Sequence, residues 1–231
     1  MSPGLVALSK FPGLRSLKLH GWGQVDYESE SESESTSTVQ ALDILPRLEL
    51  TEYVGAPELL PWFLAKPTLV RLVTHPCTSA YLASQLCGGS TSITSLYARL
   101  RDLDLGSLRS ICTSLPGLLD LRIEVSSPMT IATNFFFALV QADTPVLPTE
   151  LQRLAISWDF TGSESRNSES PSPPPNYQAM RGRYPALRKL WLDGEEFLFR
   201  FAGGNFEEVD YVSGGVELSR IRDRFSSFWE G

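Results

Sequence analysis

Residues that carry chemistry are scarce in this chain of 231 residues. It has two histidines and three cysteines. Cys77, Cys87 and Cys112 cannot all pair, and their spacing contains no CxxC, so neither a disulfide framework nor a zinc site is indicated. No Asn-x-Ser/Thr sequon occurs. Together these absences point to a reduced setting, the cytoplasm or nucleus. No apolar run approaches the ~18–20 residues that span a membrane, and the opening MSPGLVALSK lacks the basic-then-apolar layout of a secretory signal. Positive charge is short as well. Twenty Lys and Arg face 27 Asp and Glu, a net charge of −7, and Asp26, Glu28, Glu30, Glu32 and Glu34 hold five of those negatives in one run. Without that run the remainder stands at −2, which argues against nucleic acid as a partner, because phosphate binding needs a clustered positive surface.

Catalysis finds little support. There is no phosphate-binding glycine loop, no dinucleotide fingerprint and no H-E-x-x-H. His75-Pro76-Cys77 sets a thiol near an imidazole, but nothing orients the base, and a surface histidine beside a core cysteine is the plainer reading. Asp102 and Asp104 would lie on one strand face about 7 Å apart, a spacing that suits acid–base carboxylates but comes with no substrate signal. The chain is expected to be no enzyme, with no metal and no cofactor.

What the chain does have is rhythm. Leu100, Leu103 and Leu105 form an L-x-x-L-x-L signature, followed by Leu108, Ile111, Cys112 and Leu115 on one helical stripe. Such a pair is one strand-plus-helix unit of a leucine-rich repeat. Six further copies begin at Leu14, Leu45, Leu69, Leu118, Leu151 and Leu187. Pro12, Pro67, Pro116 and Pro185 each stand two residues before a first leucine, where proline suits the turn that feeds a strand. The steps between first leucines are 31, 24, 31, 18, 33 and 36 residues, irregular against the usual ~20–29. Residues 26–38 and 161–177 are polar, low-complexity insertions that read as disordered loops. Taking them out reduces the first and last steps to 18 and 19.

The expected fold is therefore α/β: an irregular leucine-rich-repeat solenoid over residues 1–202, with a parallel sheet on one face and short helices on the other. Helical returns are expected over 57–65, 79–87 and 130–142, the last deeply covered. Residues 203–231 read as a C-terminal strand and a capping helix, the helix carrying Leu218, Ile221, Phe225 and Phe228 at helical spacing. The first repeat begins within fifteen residues of Met1 with no such cap. That leads to the expectation that the chain is the C-terminal part of a longer protein, or a shortened gene model.

In each signature the leucines point inward and the alternate residues outward. The expected outer face holds Ser16, Lys18 and His20; Arg47, Glu49 and Thr51; Arg71, Val73 and His75; and Asp102, Asp104 and Gly106. It continues with Asp120, Arg122 and Glu124; Arg153, Ala155 and Ser157; and Lys189, Trp191 and Asp193. Its first strands are mostly basic and its fourth and fifth mostly acidic, a banding that suits a protein partner of matching pattern. Trp191 is the expected exposed aromatic anchor. The candidate binding residues are thus Lys18, Arg47, Arg71, His75, Asp102, Asp104, Asp120, Arg122, Arg153, Lys189 and Trp191. In the insertions, Ser29 and Ser31 precede acidic residues, and Ser170 and Ser172 precede prolines, patterns that kinases accept.

The phrases FPGLRSLKLHGW, ILPRLEL, LPWFLAKPTLVRL, LPGLLDLRI and YPALRKLWLDG resemble the leucine-rich-repeat region of F-box proteins, particularly the large fungal F-box-like group, over about residues 5–200. The resemblance implies a substrate-recognition role in a cullin-type ubiquitin ligase, with the repeats holding a protein target. The F-box itself, the N-terminal module that docks the ligase adaptor, has no counterpart here. A freestanding leucine-rich-repeat scaffold or inhibitor, with no ligase link, is the alternative.

Overall fold

The computed structural model describes residues 13–19, 49–88, 92–126, 130–158, 178–194, 197–202 and 205–209. Seven parallel strands run through it in chain order: β1 (Ser16–Lys18), β2 (Glu52–Gly55), β3 (Arg71–Cys77), β4 (Ser95–Leu100), β5 (Asp120–Val125), β6 (Arg153–Trp158) and β7 (Lys189–Gly194). Two antiparallel strands, β8 (Phe197–Ala202) and β9 (Asn205–Val209), extend the same open sheet. Between strands lie a 3-10 turn (Pro57–Leu59) and α1 (Leu60–Leu64), α2 (Ser79–Gln85), α3 (Leu105–Ser114), α4 (Thr130–Gln141) and α5 (Gln178–Arg183). The class is α/β, as the repeat rhythm predicts. β8 falls inside the stretch read as repeats and was not foreseen. Strand β9 lies within residues 203–231, while insertions 26–38 and 161–177 and the expected capping helix lie outside the described residues.

One hydrogen-bond device recurs at every parallel step. The carbonyl just before each strand accepts two consecutive N–H groups from the next: Arg15 from Thr51 and Glu52, Thr51 from Val70 and Arg71, Val70 from Thr94 and Ser95. Thr94, Leu119 and Gln152 continue the series into β5, β6 and β7. The prolines have an equally local cause. Lys66, Leu115 and Tyr184 carbonyls accept from Leu69, Leu118 and Leu187 N–H groups, closing four-residue turns. Pro67, Pro116 and Pro185 stand second in those turns, where a fixed φ is already correct and no donor is required.

The register gives three inward columns. The middle one reads Leu17, Tyr53, Leu72, Leu96, Leu121, Leu154 and Leu190, all buried. These side chains form one core with Leu60 and Phe63 of α1, Leu82 of α2, Leu108 and Ile111 of α3, and Phe136 and Leu139 of α4. Sheet and helices thus share a single apolar layer, which is the layer logic of an α/β fold.

Two strands lie elsewhere than the leucine signature indicates. Strand β2 aligns Leu50, Tyr53 and Gly55 with the inward columns, five residues beyond the copy expected at Leu45. Strand β4 aligns Ile93, Leu96 and Ala98, seven residues before the copy expected at Leu100. Tyr53 fills a leucine place by stacking on Phe63, ring centroids 4.9 Å apart, and by donating its hydroxyl to the Ala56 carbonyl. Gly55 is the matching concession, since a Cβ there would meet Tyr53 Oη at 2.6 Å. With these corrections the steps become 36, 19, 24, 25, 33 and 36 residues.

Strand β3 is also longer than its partner can match. Thr74 pairs with Ala98 but Cys77 with Leu100, so His75 and Pro76 together oppose Arg99. Proline lacks a ladder donor, and a bulge is where a strand can accommodate one.

Candidate protein-binding face

The side chains that alternate with the leucines make the outer face. Its rows run across the strands. One row holds Ser16, Glu52, Arg71, Ser95, Asp120, Arg153 and Lys189; the middle row holds Lys18, Val54, Val73, Tyr97, Arg122, Ala155 and Trp191. A third row holds His75, Arg99, Glu124, Ser157 and Asp193. The face is therefore a weakly apolar stripe between two charged borders.

Lys18, Arg71, His75, Asp120, Arg122, Arg153 and Lys189 lie where the alternation predicts. Arg47 lies outside the described residues. Asp102 and Asp104 are not on the sheet face, because β4 ends at Leu100. They cap helices instead. Asp102 Oδ1 accepts from the Ser79 N–H at 2.7 Å, at the start of α2. Asp104 is the N-cap of α3 and accepts from the Ser107 N–H at 2.9 Å. The bond from the Ser107 hydroxyl holds the Asp104 carboxyl below its ordinary range, as expected where donors favour the charged form. Asp102 and Asp104 thus form no pair on the sheet face, and the banding of that face changes: its fourth strand presents Ser95, Tyr97 and Arg99.

Trp191 is also corrected. It faces outward, yet neither it nor its neighbour Ala155 has exposed surface, and Asp193 is 1% exposed. Alternation assigns a side chain to a face but does not say whether that face is covered. The middle row is open from Lys18 in β1 to Arg122 in β5 and closed at Ala155 and Trp191.

Its centre is a cluster that the leucine signature did not reveal. The Tyr97 hydroxyl donates to Glu124 Oε2 at 2.7 Å and accepts from Arg99 Nε at 2.9 Å. The Arg122 guanidinium lies 4.5 Å from the Tyr97 ring centroid and donates to Glu124 Oε1 at 2.6 Å. Arg122 thereby adds a cation–π contact to an ion pair. Burial first, and then the bond to Glu124, hold the Tyr97 phenol protonated above its ordinary range. Along the border, Glu52 accepts from Ser16 and pairs with Arg71 at 3.5 Å, while Arg153 grips Asp120 through two nitrogens. Ser157 donates to Asp193 at 3.4 Å. Tyr97 and Arg99 were within reach of sequence reasoning, since the triad Ile93, Leu96 and Ala98 gives the even steps of 24 and 25 residues that the Leu100 triad spoils.

The thiol reading loses its physical basis. Cys77 is buried, and burial pushes its thiol up to about 12; Cys112 is likewise pushed up to about 12. A thiol so protonated is a poor nucleophile. Among the described residues no group of three His, Cys, Asp or Glu is placed to hold a metal ion, and no helix is long and apolar enough to cross a membrane. No protein-family model, no curated protein and no solved structure matches the chain.

Proposed function

We propose that this protein is a non-catalytic protein-recognition module of the cytoplasm or nucleus, built as an irregular leucine-rich-repeat solenoid. Its open sheet face receives a protein partner. One observation carries the reading: the polar side chains of that face are already fixed by one another, around Tyr97 and along Glu52 and Asp120. A surface whose side chains are held before a partner arrives loses less conformational entropy on binding. The doubled hydrogen bond at each parallel step supports the repeat reading, since it marks equivalent positions in seven successive units.

The repeats act, in this proposal, as the substrate-recognition part of an F-box-type ubiquitin ligase receptor, a link that rests on the sequence resemblance. Affinity capture from cells, with the full-length product of the locus as bait, tests both levels. Recovery of a cullin and its adaptor supports the ligase role. A stable protein target without them assigns the chain to the freestanding scaffold class. In either case Tyr97→Ala, checked by thermal melting for retained fold, is expected to lose the target. Undiminished capture by that variant would overturn the sheet-face reading.

A further inference from the structure

We propose that the sheet face across β3 and β4 receives an extended acidic peptide segment of the partner, with carboxylates four residues apart on either side of an apolar residue. The inference rests on the reading of this face as a protein-recognition surface and names the chemistry it selects.

Cations and carboxylates on this face are unequal in number. Six cations stand on the described face, Lys18, Arg71, Arg99, Arg122, Arg153 and Lys189, against the carboxylates Glu52, Asp120, Glu124 and Asp193. The four carboxylates are each held by a neighbour, and six cations against four carboxylates leave the face with a positive excess. A partner that brings carboxylates completes the balance; one that brings cations meets acceptors already in use.

The most exposed of these cations sit at a defined spacing. Arg71 and Arg99 are the most exposed arginines of the ion pairs on this face, with 56% and 59% of their side chains open to solvent. Each is tied through Nε, Arg71 to Glu52 at 3.5 Å and Arg99 to Tyr97 and Glu124. Anchoring at Nε restrains the guanidinium and leaves the Nη edge for a bidentate carboxylate. Their spacing follows from the register. Arg71 pairs with Ser95, and Arg99 lies four residues further along β4. That places the two about 14 Å apart, from four rises of ~3.3 Å and one strand spacing of ~4.8 Å. An extended peptide covers about 13 Å in four residues. Its residues i, i+2 and i+4 point the same way, so the central side chain falls over half-buried Val73 and Tyr97. Each guanidinium shares its charge with a carboxylate beneath it, so the site suits a monoanionic carboxylate better than a dianionic phosphate.

Fluorescence anisotropy with the purified full chain tests this. The probe is a fluorescein-labelled Gly/Ser peptide carrying Asp, Leu and Asp at positions i, i+2 and i+4. The spaced peptide should bind. A peptide of the same composition with its two Asp residues adjacent should bind at least fivefold more weakly, and an Asn version more weakly still. Arg71→Gln and Arg99→Gln should each weaken binding of the spaced peptide about fivefold to tenfold, whereas Arg109→Gln, on α3, should leave it unchanged. Equal binding of spaced and adjacent peptides, no binding of the spaced one, or indifference to both arginine substitutions would overturn the inference, as would tighter binding of a phosphoserine peptide. If these tests fail while Tyr97→Ala still abolishes capture of a cellular target, the recognition face stands and only the acidic-peptide inference falls. If Tyr97→Ala captures as well as the parent, both fall.

Discussion

The Tyr184 hydroxyl accepts from two backbone N–H groups, Val146 at 3.0 Å and Leu147 at 3.4 Å, both on the loop between α4 and β6. All three residues are buried. Tyr184→Phe removes the acceptor without changing the shape of the ring, so both amides lose this partner inside the protein. The expected loss is about 1–3 kcal/mol, because a buried donor left unmatched costs its full desolvation. Urea denaturation reads that loss as a lowered midpoint at constant slope; an unchanged midpoint would show that the hydroxyl is dispensable. Tyr184 also illustrates what a sequence conceals. It precedes Pro185 and a leucine triad and looks like part of a turn, yet its work is done 37 and 38 residues away. Trp191 misleads in the opposite sense, since its alternation correctly gives a face and says nothing of the cover over it.

At the scale of elements, the legible strands were those whose inward places are filled by leucine and isoleucine. Strands β5, β6 and β7 follow their triads directly, and β3 does so with Thr74 in the third place. Strand β2 hides because Tyr53 takes one leucine place and its hydroxyl end fills the space that a side chain at Gly55 would need. Strand β4 hides because Leu100, Leu103 and Leu105 imitate a triad while doing three different things. Leu100 ends the strand, Leu103 is buried in a loop, and Leu105 opens α3. The same error carried Asp102 and Asp104 onto the candidate site. As a cap, Asp104 makes a definite prediction. Asp104→Ala should cost about 1 kcal/mol at neutral pH, the usual worth of an N-cap. Because the folded protein depresses the Asp104 pKa, this contribution is complete above the ordinary carboxylate range. It is lost as the pH falls through the lowered folded value. Denaturant melts of parent and variant, taken from neutral pH downward, should therefore converge in acid. A gap that persists there would mean that the aspartate acts by packing and not by charge.

Across the whole molecule each parallel strand is held chiefly by the strands it pairs with, so stability is distributed along the sheet and is smallest where the described pairing is short. Strand β5 pairs over six residues on both sides, while β1 pairs over three residues with β2. Leu121 in β5 is fully buried and Leu17 in β1 is 7% exposed. Leu121→Ala should cost about 2–5 kcal/mol, and Leu17→Ala distinctly less. Native-state hydrogen exchange should likewise find the slowest amides in β4–β6 and faster ones in β1. A uniform exchange profile, or equal costs for the two substitutions, would show instead that the sheet opens as one unit.

The two faces of this sheet also differ in what they do to light. Trp158 looks inward, its ring 5.5 Å from Phe135 and 5.2 Å from Phe136, and Trp191 on the adjoining strand looks outward; both are shut off from water. Each indole is thus a gauge for one side. Loosening of the helical layer would redden and quench the emission of Trp158, whereas exposing the outer face at β7 would do so for Trp191 alone. With Trp22, Trp62 and Trp229 also replaced by phenylalanine, removing either of these two leaves a chain that reports optically on the opposite side.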